Sequence, residues 1–203
     1  MEIITQLTDD LEPVSHLAKR MLSEGAECVS SPGRIQIRRS ATLGEEAFAV
    51  TLFEGIDYST IHQYEKIHKV DIPATFARIL NSLNGGNVFR LDLYGLPPSM
   101  TEDPPLLDRT EIQPLDLATA NTLWCDDFAP RKGLFHIGSG PWSKNEDLGY
   151  FLLPDDSVVA LKKGGEQISS WKSIKDLLSA EIARAEELYP EYEKSMARLF
   201  SQY

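Results

Sequence analysis

The stretch from Ile61 to Leu96, IHQYEKIHKVDIPATFARILNSLNGGNVFRLDLYGL, leaves this chain the fewest choices. It predicts helix, proline-started helix, glycine stop and strand, with little slack between them. Thr60 is placed to cap the first helix, and Gln63 three residues on completes a capping box. Ile61, Tyr64 and Ile67 then share one face. Pro73 stands where a helix tolerates proline, at its first position. From there Phe76, Ile79, Leu80 and Leu83 follow the i, i+3, i+4, i+7 spacing of a core-facing stripe. Asn84, Gly85 and Gly86 stop that helix, since glycine enters the left-handed C-cap conformation without a Cβ clash. Phe89, Leu91 and Leu93 alternate with Arg90, Asp92 and Tyr94, which predicts a half-buried strand over 88–94.

The flanking segments extend the pattern. Leu11, Val14, Leu17, Ala18, Met21 and Leu22 lie at helical spacing, with Gly25 as a stop. Arg34–Arg38 alternates strictly and Phe48–Phe53 is a β-prone apolar run, so a hairpin is expected, either extending the main sheet or forming a small lobe. The Arg34, Arg38 and Arg39 cluster reads as the charged face of an edge strand. Gly55-Ile56-Asp57 marks a boundary. The Pro- and acid-rich run over 97–114 is a surface connection. A short helix follows with Leu117, Ala120, Asn121 and Trp124 on one side, ended by Cys125-Asp126-Asp127-Phe128. Strands are expected at 134–137, 149–153 and 157–161, with a polar loop over 139–147 and turn chemistry at Pro154-Asp155-Asp156. Ser169 or Ser170 caps a helix with the stripe Trp171, Ile174, Leu177, Leu178, Ile182 and Ala185. Pro190 interrupts it and starts a last helix. Trp124 and Trp171, on helical stripes, are expected in the core.

Tyr64-Glu65, Ile72-Pro73, Leu83-Asn84-Gly85-Gly86 and Leu93-Tyr94-Gly95-Leu96 together resemble the SMI1/KNR4, or SUKH, family. Phe135-His136-Ile137-Gly138, Gly149-Tyr150-Phe151-Leu152 and the helix opening at Ser170-Trp171 fall in that family's order. The resemblance covers about residues 57–190. It implies an α+β domain with a mixed or antiparallel sheet flanked by helices and without a catalytic site. Residues 1–56 then form an N-terminal helix and hairpin addition, and 191–203 a C-terminal helix. Bacterial members of the family are mostly immunity proteins that bind and neutralise toxins, often nucleases. Fungal relatives are intracellular regulatory scaffolds with long disordered extensions, which are not expected for this chain.

Charge narrows the partners. The net charge is −11, against binding nucleic acid, whose phosphates require a basic face. Residues 97–160 alone hold 11 acidic and 4 basic side chains, −7. No apolar run approaches the roughly 20 residues of a membrane span. The N-terminus lacks a signal-peptide layout, and Cys28 and Cys125 make no disulfide framework, so a cytoplasmic protein with reduced thiols is expected.

Motifs for chemistry are weak. The four histidines give no i, i+4 pair and neither cysteine has a CxxC partner. Gly138-Ser139-Gly140 lacks the third glycine and helix of a dinucleotide site and reads as a turn. Asn145-Glu146-Asp147 lacks the alternate ligands of a calcium loop. His136, among apolar neighbours, reads as a packed histidine. No catalytic residue, metal ligand or cofactor is assigned. The rival is a hydrolase whose metal or water is held by several of Asp126, Asp127, Glu146, Asp147, Asp155 and Asp156. The expected partner is a basic toxin, met by Glu102, Asp103, Asp126, Asp127, Glu146 and Asp147, with Trp142 and Tyr94 as desolvated anchors. For Trp142 two placements stay open: an interface anchor, or a ring folded back on the sheet.

Overall fold

The computed structural model describes residues 2–40, 47–97, 113–128, 133–143 and 146–200. It is an α+β fold on one nine-stranded antiparallel sheet, in which each strand pairs with the next in sequence. The strands are β1 (Cys28–Ser31), β2 (Arg34–Arg39), β3 (Phe48–Glu54), β4 (Leu83–Val88), β5 (Leu91–Leu93), β6 (Phe135–Ser143), β7 (Glu146–Leu152), β8 (Val158–Leu161) and β9 (Gln167–Trp171). The helices are α1 (Glu2–Thr5), α2 (Glu12–Ser23), α3 (Tyr58–His68), α4 (Ala74–Ser82), α5 (Leu117–Thr122) and α6 (Ile174–Phe200), with 3-10 turns at Asp9–Leu11 and Trp124–Phe128. Among the described residues no helix is long and apolar enough to cross a membrane.

The N-terminal hairpin extends the main sheet. Strand β3 pairs with β4, and α2 packs its Leu17, Ala18 and Met21 into the same core as α6. Strand β1, between the glycine stop and the β2 arginines, carries no alternation long enough to announce it.

Several boundaries fall elsewhere than the sequence predicts. Helix α4 stops at Ser82, and Leu83–Val88 is already strand, so Asn84, Gly85 and Gly86 are not a helix cap. Gly85 does take a left-handed φ of +76°, but inside the strand, where a Cβ would stand 2.7 Å from the Leu93 carbonyl oxygen. The expected strand 88–94 is broken by a turn at Phe89 and Arg90, with φ of 50° and 72°. Strand β6 runs on through Ser143, over ground that reads as loop. Its glycines leave room for neighbouring strands, and Pro141 sits at a bulge where a missing N–H is tolerated. Residues 167–171 form β9, pairing with β8, so Ser169, Ser170 and Trp171 precede the helix. The cap is Ser173, whose Oγ accepts from the Asp176 N–H at 3.1 Å. Pro190 lies inside α6, which continues to Phe200. The α3 cap is Asp57 rather than Thr60: its carboxylate accepts from the Thr60 N–H at 2.9 Å. Ile67 is 64% exposed and lies off the buried face of α3.

Cross-strand register sorts side chains onto two faces. Ile35, Leu52, Leu93, Tyr150, Ala160 and their neighbours face α2 and α6 and form the main core. On the other face Phe151, Val159 and Leu161 pack with Phe128 in a smaller cluster.

The residues that carry the family resemblance do architectural work here. Tyr64 donates its hydroxyl hydrogen to Asp116 and accepts from the Ala118 N–H at 2.7 Å, tying α3 to α5. Glu65 accepts from the Ile72 N–H at 2.9 Å, closing the connection before Pro73. Asn84 brackets Leu96, donating to its carbonyl at 2.8 Å and accepting from its N–H at 2.7 Å. Both Leu96 groups are buried, and each orphaned group costs roughly 1–3 kcal/mol. Asn84→Ala is therefore expected to lower unfolding stability by about 3 kcal/mol in urea titration. A loss below about 1 kcal/mol would show that the bracket carries little.

Candidate functional site

Three segments meet at one end of the sheet: the Phe89-Arg90 turn, the β6–β7 arms and the second half of α6. Consecutive left-handed, non-glycine residues are uncommon and cost free energy that the surroundings must offset. Here burial of Phe89, 1% exposed, holds the turn, and Arg90 is thereby projected between β7 and α6. Its Nη2 lies 3.3 Å from Asp147 Oδ1, and its guanidinium carbon 4.5 Å from the Tyr192 ring centroid.

Trp142 stands next to this turn, 37% exposed. Lys162 lies 5.3 Å and Arg184 5.8 Å from its ring centroid, so the ring is braced by cations while part of it stays open to solvent. Arg184 is itself fixed. It pairs with Glu181, which is 5% exposed, and donates to the Pro141 carbonyl. Tyr150 donates to the same Glu181, and burial, followed by that charge, drives its hydroxyl pKa well above the ordinary range. The wall behind Trp142 is therefore a hydrogen-bonded network rather than a mobile loop.

Two hollows flank Arg90. One is a groove of about 300 Å³ over an apolar and aromatic floor that includes Phe89, Pro141, Leu188, Tyr189, Tyr192 and Met196. The other, about 190 Å³, is polar and lined by Asn87, Arg90, Asp92, Ser139, Gly140 and Asp147.

The structure brings some of the predicted partner residues together. Trp142, Glu146 and Asp147 share this rim. Asp127 is held instead on the Trp124–Phe128 turn, by Lys163 at 3.1 Å. Glu146 pairs with Lys162 at 3.5 Å. Three of the four described carboxylates thus meet cations from outside 97–160, namely Arg90, Lys162 and Lys163, and the −7 count overstates the field at this surface. Asp126 is exposed on the Trp124–Phe128 turn. Glu102 and Asp103 lie outside the described residues, as do Lys144 and most of the 97–114 connection.

Two placements are corrected. Tyr94 is 3% exposed, held edge-on against His136 and Trp124, so it supports the sheet and is no surface anchor. Trp124 is 36% exposed beside Leu123 at 67%, because the chain leaves the α5 helix at Thr122 and the turn rotates the ring outward. The six carboxylates of the rival hydrolase are dispersed: Asp127 is bound to Lys163, and Asp155 accepts from the N–H and hydroxyl of Ser157. Among the described residues no group of three or more His, Cys, Asp and Glu side chains is placed to hold a metal. Arg90 and Asp92 were legible only as the polar face of a strand and Tyr192 only as a helix-stripe residue, while Asn87 carried no reading; nothing local marks them.

Comparisons with protein-family models, with curated proteins and with solved structures each return no match.

Two titrating groups in this half of the sheet act in opposite senses. Burial lowers the His136 pKa from 6.5 to about 4. The unfolded chain then binds a proton that the native one refuses, so stability rises with pH between about 4 and 6.5, by on the order of 3 kcal/mol. Burial, with Asp147 adding to it, raises Asp92 from 3.8 to about 6. There the native state binds the extra proton, and stability falls as pH rises through that window. Asp92→Asn keeps the acceptor for Asn87 and leaves His136 acting alone. The variant should melt higher than the parent at pH 7 and gain more stability between pH 4.5 and 7. A lower melting temperature at pH 7 would contradict the burial cost assigned to Asp92.

Proposed function

We propose that the chain is an immunity protein of the SMI1/KNR4 type, which holds a cognate toxin by protein–protein contact at the rim around Trp142. The observation that carries this reading is the Trp142 ring. It is 37% exposed and braced by Lys162 and Arg184, and its chain neighbours Pro141 and Ser143 line the groove that the exposed Leu188 also borders. A rigid aromatic ringed by polar groups is the usual form of an interface anchor, and little side-chain entropy is lost when it is covered. The toxin as partner class comes from the family resemblance. A nuclease fits best, because its phosphate-holding cleft must be basic and this chain carries net charge −11. The ion pairs at the rim shift the role of charge. The overall acidity steers the encounter, while the anchor and groove supply affinity. In this reading the chain acts by occlusion in the cytoplasm, with no chemical step.

The test uses the cognate toxin and two surface variants, Trp142→Ala and Leu188→Asp, checked for parent-like melting. Truncating a central anchor costs about 2 kcal/mol or more, so roughly 30-fold weaker binding and loss of protection in cells are expected. If both variants bind and protect like the parent, the rim is not the contact surface.

A further inference from the structure

One row of the sheet is polar from strand to strand. Gln36 lies opposite Thr51, Thr51 opposite Asn87, Asn87 opposite Asp92, and Asp92 opposite Ser139. These five side chains share the face away from α6, on strands whose other face is apolar. Directly opposed residues on adjacent strands stand roughly 5 Å apart, so the row is a continuous polar track rather than scattered solvation. At its β4–β6 end it opens into the 190 Å³ hollow.

The hydrogen bonds inside that hollow are incomplete. Asn87 donates to Asp92 Oδ1 at 2.7 Å. Asp92 Oδ2 receives no hydrogen bond among the described residues. Asp147 sends one oxygen to Arg90 at a long 3.3 Å, and its side chain is otherwise half-exposed. Arg90 is drawn to the far side of the hollow by Tyr192. Ser139 and Gly140 complete the lining, and the hydroxyl of the buried Tyr94 lies 3.5 Å from His136 Nε2. Two carboxylates with spare acceptor oxygens therefore face a space that one protein cation borders but does not fill.

We propose that this hollow takes the guanidinium group of an arginine side chain presented by the protein partner, held by Asp92 and Asp147. A planar guanidinium offers donors in two directions at once, which matches two carboxylates on adjoining walls better than a compact ammonium does. A cation is the ligand chemistry that relieves a half-buried carboxylate whose one hydrogen bond comes from a neutral amide, whereas an anion would meet two like charges. The inference rests on the partner-binding reading for the source of the arginine, and on the hollow alone for the chemistry. The charged and titrating groups facing the site are Asp92 from β5, Asp147 from β7, Arg90 from the turn and Tyr94 from below. Cation binding favours ionised Asp92, so affinity should fall as pH drops through about 6.

Agmatine is the probe, titrated into the full chain at low salt and pH 7.5 and followed through the Asn87 side-chain amide signals. Saturable binding with a dissociation constant on the order of 1 mM is expected. Asp92→Asn and Asp147→Asn should each weaken it about tenfold, and n-butylamine should bind more weakly than agmatine. Arg90→Ala should tighten it, since a like charge is removed; a merely structural role for Arg90 would predict loss instead. No saturable shift at about ten times that concentration, or binding unchanged in Asp92→Asn, overturns the site. Agmatine should also compete with the toxin. Binding without competition overturns the partner's arginine as occupant and leaves the hollow to a free cation. These outcomes are separable from the Trp142 test, because agmatine binding needs no toxin.

Discussion

The chain passes from helix to sheet at Ser82–Leu83 without a connecting residue, and the rest of the architecture depends on how that passage is locked. Asn84 holds both backbone groups of Leu96 from across the β4–β5 hairpin. The strands are close enough there that a Cβ on Gly95 would stand 2.4 Å from the Asn84 carbonyl oxygen. With β4 pinned, one of its edges receives β3 and the other β5. The N-terminal strands and the C-terminal strands thus become one sheet, and a segment that reads as an addition in sequence shares its core with everything that follows.

The same continuity creates the site. Because β4, β5, β6 and β7 are held in register, Asn87, Asp92 and Ser139 fall in line on one face, and Arg90 is lifted over the sheet end toward α6. Helix α6 reaches this far only because Pro190 is accommodated within it, which removes one backbone hydrogen bond but leaves the stripe Ala185, Leu188, Tyr189, Tyr192 and Met196 intact. Several features here oppose stability: two left-handed non-glycine residues at the turn, a half-buried carboxylate, and a tryptophan left partly in water. These local costs collected at one rim are what the binding proposal draws on.

Long-period features were legible in the sequence. The stripes of α2, α4 and α6 and the alternation of β2 repeat often enough to be read from one chain, and β7 and β8 were read from the Pro154-Asp155-Asp156 turn between them. What failed depends on distant neighbours. Gly85 and Gly86 signal a helix stop locally, but the carbonyls of Leu93 and Thr51 make them strand residues. Gly138 to Trp142 reads as loop until β5 and β7 are placed on either side. Trp171 fits a helical stripe as well as a strand, and only pairing with Val158 decides. Of the candidate site, Trp142, Glu146 and Asp147 stood out in the sequence through exposure-prone chemistry. Arg90 and Asp92 were not, since an alternating strand gives no sign that its polar face closes a hollow. The acidity of 97–160 was read correctly as a count, yet its cations come from elsewhere in the chain.

Native-state amide hydrogen exchange measures the claim that one locked junction makes one cooperative sheet. Amides in the β2–β3, β4–β5 and β6–β7 ladders should exchange only through openings with the free energy of global unfolding, and Asn84→Ala should lower all of them together. Exchange of β2 and β3 amides through a separate, lower-energy opening, with β4–β8 still protected, would contradict it.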